Sequence, residues 1–267
     1  MLVPTPETDV KNIFTEETLT ICRHYGIPFH EMESIVLPLQ KGFEKYWEMV
    51  FSENDFELIT AGQGPAFAQQ ALDAGAKAGL SQRVLWMFFN CHLAFPSAIT
   101  GIKLCFSADK KLSPTLYVRV KAEKKESFAF LRQHLSDEEI TLLQNELRDN
   151  KILYGLGFSE KDGKPYLKTY TIGEIDTPQG EKTNGFISHR LTGQQLSKEH
   201  KTYLPEISLE NFRAETPGLK SLRNFLVNEM QYTKAGHIGI LHRENVAPEY
   251  KIYVERVGGI PTDFSAR

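Results

Sequence analysis

The stretch ILYGLGFS (152–159), the pair Asp162-Gly163 and the stretch PYLKTYTIG (165–173) decide the fold of this chain. Asp-Gly is a strong hairpin signal, because a tight two-residue turn needs a positive φ at both central positions. The run before the turn is apolar and rich in glycine. The run after it alternates apolar with large polar side chains, as a strand with two different faces does. We therefore predict an antiparallel hairpin here.

The same pattern occurs twice more in the chain. ITGIKLCFS (99–107) precedes TLYVRVKA (115–122), and a polar turn separates the two runs. GHIGILHRE (236–244) precedes YKIYVERV (250–257) in the same way. Three hairpins of one type predict a repeated unit.

Helical patterns lie between these hairpins. Ser136-x-x-Glu139 is a capping box that opens an apolar stripe, and Thr216 before Pro217 is an N-cap followed by a first-turn proline. The predicted order is therefore two helices followed by two strands.

Two weaker hairpins complete the predicted repeat. One lies around Gly185 to Leu191. The other is formed by DFELITA (55–61) and RVLWMFF (83–89), which an alanine-rich helix separates. Five units that close into a ring would leave no exposed strand edge. We predict an α+β fold with one domain over residues 1–267, in which ααββ repeats form a closed barrel of about ten antiparallel strands, surrounded by helices and wide enough for a ligand.

The composition excludes several classes of protein. With 41% hydrophobic and 24% charged residues the 267-residue chain is typical of a globular protein, and its net charge of -3 argues against a nucleic-acid partner. Three cysteines without metal-ligand spacing favour a reducing, cytoplasmic location. No secretory signal is expected, and no run approaches the roughly 18 apolar residues that a membrane span needs.

The second strands of the three hairpins each have one apolar face and one basic, tyrosine-rich face. If the apolar faces pack on helices, the other faces point into the lumen, where lysine, arginine and tyrosine would bind an anion such as a diphosphate ester. The same alternation is typical of the solvated face of any antiparallel sheet. A flat scaffold with lysine and tyrosine outward, and a barrel that only carries a hydrophobic or anionic ligand, therefore stay open. The polar faces comprise Tyr117, Arg119, Lys121, Tyr166, Lys168, Tyr170, Lys251 and Tyr253.

These strands resemble the soluble aromatic prenyltransferases of the ABBA, or PT-barrel, superfamily, and above all its bacterial indole and phenol members and the cyanobactin enzymes. In that superfamily Lys-x-Tyr and Arg-x-Lys pairs on inward strands bind the prenyl diphosphate. The resemblance implies this role for three pairs: Arg119 with Lys121, Lys168 with Tyr170, and Lys251 with Tyr253. A looser likeness at the front of the chain gives Arg83, in RVLWMFF, the role of an early-strand arginine on the diphosphate.

The resemblance also implies a reaction, in which a dimethylallyl or geranyl diphosphate alkylates an indole, a phenol or a peptide side chain. Tyr117, Tyr166 and Phe158 are the predicted shield of the allylic cation. Glu57 matches the first-strand glutamate that takes the acceptor's proton, and Glu48 is its substitute.

A metal site built by the protein is not predicted. The sequence has no Asp-Asp-x-x-Asp run, although some relatives need Mg²⁺ and this ion on the diphosphate stays open. No membrane partner is expected, and the sequence leaves the oligomeric state and the acceptor undecided.

Overall fold

The computed structural model describes residues 7–40, 46–107, 112–120, 122–148, 152–176, 182–193, 195–204, 207–243 and 246–256. Within them lie seven α-helices and one π-helical turn, Phe225–Glu229. The α-helices are α1 Glu7–Tyr25, α2 Phe29–Gln40, α3 Pro65–Lys77, α4 Gln82–Ala94, α5 Lys124–Leu131, α6 Asp137–Glu146 and α7 Pro217–Asn224.

The described residues also form fourteen strands. The first seven are β1 Tyr46–Phe51, β2 Asp55–Gly62, β3 Ile99–Ser107, β4 Leu112–Arg119, β5 Ala122–Glu123, β6 Ile152–Leu153 and β7 Gly155–Lys161. The others are β8 Lys164–Asp176, β9 Lys182–Thr192, β10 Gln195–Leu204, β11 Ile207–Ser208, β12 Lys234–Ala235, β13 His237–Arg243 and β14 Val246–Arg256.

Ten of these strands close into the predicted antiparallel barrel. The order around it is β1-β14-β13-β10-β9-β8-β7-β4-β3-β2, and two small sheets, β5-β6 and β11-β12, lie beside it. The predicted Asp162-Gly163 hairpin joins β7 to β8, and φ is 52° at Asp162 and 72° at Gly163. Both central residues of this turn therefore have the positive φ that the Asp-Gly signal implies.

One strand of the prediction is wrong. RVLWMFF lies in α4, whose buried residues Val84, Met87, Phe88 and Cys91 recur at helical spacing. The partner of β2 is β1, which pairs Val50 with Glu57 and Met49 with Leu58.

The repeat is also incomplete at one point. β8 ends at Asp176 and β9 begins at Lys182, and the described residues hold no helix between these two strands, whereas helices precede each of the other four barrel hairpins. The barrel has five hairpins, β1-β2, β3-β4, β7-β8, β9-β10 and β13-β14, but the fourth follows the third directly.

The apolar core lies between the barrel wall and the helices. Leu116, Val118 and Leu156 on the outer faces of β4 and β7 are fully buried, and Phe88 of α4 packs edge-on against Phe158 of β7. Burial of each such side chain stabilises the fold by roughly 1.5–3 kcal/mol. The outer faces are therefore the apolar ones, which leaves the polar faces of the strands to the lumen.

None of the helices in the described ranges has the length and hydropathy that crossing a membrane would require.

Candidate active site in the barrel lumen

The lumen contains a cavity of about 270 Å³ to which all ten barrel strands contribute. Its polar lining has two carboxylates with close cationic partners, a lysine without a carboxylate partner, and a wall of tyrosines. The charged residues in the described lining are Lys103, Lys168, Lys201, Lys251, Arg119, Glu48, Glu57 and Glu199.

Glu57 of β2 is the centre of the first ion cluster. Its Oε1 accepts hydrogen bonds from Lys103 Nζ at 3.0 Å and from Lys251 Nζ at 2.6 Å. Lys251 also lies 3.4 Å from Glu249. Burial alone would raise the pKa of Glu57, but Lys103 and Lys251 outweigh burial and hold it well below its usual range. Glu57 is therefore a carboxylate throughout the neutral pH range.

Glu199 of β10 is the centre of the second cluster. It accepts hydrogen bonds from Lys168 Nζ at 3.1 Å, Arg243 Nε at 2.8 Å and Ser188 Oγ at 3.4 Å, and Arg190 lies 3.8 Å away. Burial lowers the pKa of Lys168 to about 8, although Glu199 opposes this shift. A buried ammonium with a pKa this close to neutral is sensitive to any further negative charge that enters the cavity.

Lys201 of β10 differs from the other lumenal lysines, because it makes no ion pair with any residue that the structure describes. Its ammonium lies 4.1 Å from the ring centroid of Tyr253 and 4.9 Å from that of Tyr203. Burial, together with repulsion from Lys251, lowers its pKa to about 7. A Cβ at Gly239 would lie 2.5 Å from Lys201 Cε, so the glycine leaves room for this side chain.

Phenol rings form most of the remaining wall. Tyr117 and Tyr170 pack with their centroids 5.7 Å apart, and Gly157 beside them would bring a Cβ within 3.2 Å of Tyr117. The guanidinium of Arg119 lies 4.7 Å above the ring of Tyr154. Burial raises the pKa of Tyr117 and Tyr170 above the usual range, so both stay neutral hydrogen-bonding phenols.

Solved structures share this barrel, including two that cover almost all of this chain. The 6-dimethylallyltryptophan synthase from Micromonospora olivasterospora, solved in complex with DMASPP and Trp, matches with a TM-score of 0.56 at 12% identity, over 91% of this chain and 96% of that chain. NotF prenyltransferase matches with a TM-score of 0.60 at 9% identity, over 95% of this chain and 96% of that chain. The chain has the ABBA prenyltransferase fold. No family model and no curated protein matches the chain.

Most predicted site residues face the lumen of this ABBA barrel. The cavity lining includes Glu57, Tyr117, Arg119, Lys168, Tyr170, Lys251 and Tyr253. Tyr166 lies outside that lining, with the Arg190 guanidinium 5.1 Å above its ring. Lys121 lies outside the described residues. The roles given to these residues stay predictions.

Two predicted site residues do not face the lumen. Phe158 lies on the outer face of β7 against Phe88, because Gly155 and Gly157 occupy the inward positions of that strand. Arg83 is exposed at the start of α4, on the outside of the barrel. Neither Phe158 nor Arg83 belongs to the cavity lining, which argues against Phe158 in the cation shield and against Arg83 on a lumenal diphosphate.

The two glutamates both line the cavity, but Glu57 is not on the first strand as predicted. Glu48 lies on β1, the first strand, whereas Glu57 lies on β2. His237 Nε2 lies 3.8 Å from Glu48 Oε1, and its ring stacks on Tyr253 at 4.1 Å. Burial lowers the pKa of His237 to about 3, so this imidazole is neutral.

Sequence reasoning missed part of the ABBA barrel lining. Lys103, Glu199, Lys201 and Tyr203 were not selected, although KTY at 168–170 occurs again at 201–203. That repeated tripeptide was a usable signal. Lys103 has no such signal, since it lies in the first strand of a hairpin, outside the basic, tyrosine-rich faces of the second strands.

The described residues contain no group of three or more histidine, cysteine, aspartate or glutamate side chains placed to hold a metal ion. Glu57 and Glu199 each have lysine or arginine partners at hydrogen-bond distance. These two carboxylates therefore do not form a set of metal ligands. Binding of Mg²⁺ to a bound diphosphate stays a prediction.

Proposed function

We propose that this chain is an aromatic prenyltransferase, which transfers a dimethylallyl or geranyl group from its diphosphate to an electron-rich aromatic acceptor inside the barrel. The acceptor is an indole or phenol, free or in a peptide side chain. The observation that carries the proposal is the combination of converging ammonium groups and phenol rings in the lumen of one closed barrel.

The charge of the lumen supports an anionic ligand. Five cationic side chains and three carboxylates line the described part of the cavity, which gives a net charge of +2 when Lys201 is protonated. A diphosphate ester balances that charge, and lysine and arginine are the usual partners of phosphate oxygens. A neutral hydrophobic ligand would leave the excess positive charge buried and uncompensated, which is costly.

The proposed reaction begins when the bond between the allylic carbon and the diphosphate oxygen breaks and its electron pair leaves with the diphosphate. Lys168, Lys251 and Arg119 stabilise the leaving group, with Lys103 and Lys201 beside them. The allylic cation lies against Tyr117 and other phenol rings, whose negative faces stabilise positive charge.

A π electron pair of the acceptor then forms the new carbon–carbon bond. The resulting arenium ion loses its proton to a lumenal carboxylate, Glu57 or Glu48, and aromaticity returns. The low pKa of Glu57 does not prevent this step, because an arenium ion is a much stronger acid than a carboxylic acid.

The runner-up function is a carrier that binds the same anionic ligand without turnover. A flat scaffold with outward lysines is excluded, because Lys168 and Lys251 line the cavity. Carrier and enzyme differ in one measurable property, which is product formation.

Calorimetry with a non-hydrolysable thio-analogue of dimethylallyl diphosphate, with and without Mg²⁺, tests the anion site. We expect micromolar binding that Lys168→Ala and Lys251→Ala weaken at least tenfold. Lys198→Ala is the matched control, because Lys198 lies on the barrel strand β10 with its side chain 46% exposed and ion-paired to Glu146 of α6. Turnover of indoles, phenols and peptides then separates enzyme from carrier. Full activity in the Lys168 and Lys251 variants would refute their assignment.

A further inference from the structure

Lys103 and Lys251 share one counter-ion, and that counter-ion is a single oxygen atom. Both ammonium groups donate to Glu57 Oε1, at 3.0 and 2.6 Å, although they come from β3 and β14 on either side of the β1-β2 hairpin. The Glu57 side chain is 5% exposed and all three groups line the cavity. An oxygen held between two ammonium groups occupies the kind of position that a phosphate oxygen would take.

This arrangement conflicts with two simultaneous roles for the same residues. Each N–H that Lys103 or Lys251 directs at Glu57 is not available to a diphosphate, so the carboxylate and the phosphate oxygens compete for the same two ammonium groups. Glu57 in turn is a weaker and slower proton acceptor while two ammonium groups hold its Oε1, because each bond stabilises the charged form. The conflict ends if one anion replaces the other.

We propose that Glu57 is a built-in competitor for the donor: the diphosphate displaces its carboxylate from Lys103 and Lys251, and the displaced carboxylate then receives the acceptor's proton. This inference rests on the proposed function and adds to it the order in which donor binding and proton transfer occur. The donor binds first and thereby creates the proton acceptor. Without the donor, the lysines hold Glu57 in a form that is a poor base.

The inference predicts two opposite effects for one substitution. Glu57→Gln removes the competitor, so it tightens binding of the diphosphate and at the same time slows turnover. A residue with only a structural role would weaken both when it is changed.

The experiment measures inorganic diphosphate and the thio-analogue by calorimetry on the wild-type chain and on Glu57→Gln, and then measures turnover of both. We expect Glu57→Gln to bind both ligands about tenfold more tightly, and to turn over at least about a hundredfold more slowly, the usual scale for loss of a general base. Glu48→Gln is the control for the general effect of one negative charge fewer in the same cavity, and we expect its affinity to change less than about threefold.

Three results would overturn the inference. If wild type binds and Glu57→Gln binds equally or more weakly, competition is absent while the proposed function stands. If Glu48→Gln tightens binding as much, the effect is the charge of the lumen and not displacement of Glu57. If neither protein binds either ligand, the proposed function fails together with the inference.

A second variant covers the case in which Glu57→Gln does not fold. Glu57→Asp keeps the buried charge but withdraws the carboxylate by one methylene from the two ammonium groups. We expect about threefold tighter binding with slower turnover, and unchanged binding with slower turnover would count against displacement.

Discussion

Raising the pH should weaken donor binding through Lys201. This lysine faces Lys251, Lys103, Glu57 and Glu48, and its pKa of about 7 lies where a small change of pH changes its charge. The protonated form attracts a diphosphate and the neutral form does not, so affinity is present below pH 7 and is lost as the pH rises through this value.

The magnitude follows from the protonated fraction of Lys201. With a pKa of about 7 most of Lys201 is protonated at pH 6 and little of it at pH 9, so the apparent Kd rises by at least about tenfold between these two values. Lys168, with a pKa of about 8, adds a further loss above pH 8. Calorimetry with the thio-analogue at constant ionic strength measures the profile.

Lys201→Arg separates the two lysines, because arginine stays charged throughout this range. We expect the variant to lose most of the dependence between pH 6 and 8 and to keep the part above pH 8. A wild-type profile that coincides with that of Lys201→Arg would refute the reasoning, since Lys201 would then not change its charge in the site.

Three further predictions concern other parts of the chain. Phe158→Ala should lower the free energy of unfolding by about 3–5 kcal/mol in denaturant titration, yet leave kcat of the folded fraction within threefold, because Phe158 packs on the helix layer and not on the ligand. Arg83→Ala should leave the Kd of the thio-analogue unchanged; a tenfold loss would return Arg83 to the binding site. The pKa of buried His189 is lowered to about 4, so its unfolded form gains a proton first and stability falls as the pH drops from about 6.5 to 4, by at most about 3 kcal/mol. His189→Gln should flatten that part of the curve in thermal melts, and an unchanged curve would contradict the assignment.

The barrel could be predicted from the sequence because its hairpins carry local signals. Asp162-Gly163 fixes a turn, and alternation in the following strand fixes which side chains share a face. The seven-residue apolar run RVLWMFF has no such signal, since a short buried run suits a helix as well as a strand. The packing of α4 on the barrel is what favours the helix over the strand, and a local sequence pattern does not show that contact.

Strand parity predicted correctly that most polar residues of the second strands line the cavity, although Tyr166 lies outside that lining, and parity was not applied to Phe158. Phe158 alternates with Gly155 and Gly157, so one face of β7 has no side chain and the phenylalanine must lie on the other. The glycines on the inward face have no side chain and so leave room for the rings of Tyr117 and Tyr170. Parity alone would have placed Phe158 outside.

The ion clusters could not be predicted, because they depend on distances across the lumen. Glu57 meets Lys251, 194 positions later in the chain, and Glu199 meets Lys168 and Arg243. Which lysine reaches which carboxylate depends on the barrel's diameter and strand tilt, which no local pattern encodes.

Among the described residues no helix lies between β8 and β9, so β9 and β10 have less helical cover than β3 and β4. Amide hydrogens of β9 and β10 should therefore exchange faster than those of β3 and β4, which α3 and α4 cover. The less covered strand β10 carries Glu199 and Lys201, whereas Lys251 belongs to the strand that closes the barrel against β1. An anion held by Lys201 and Lys251 would act as a non-covalent cross-link between these strands, so the ligand itself would damp the local opening of the barrel that surrounds it.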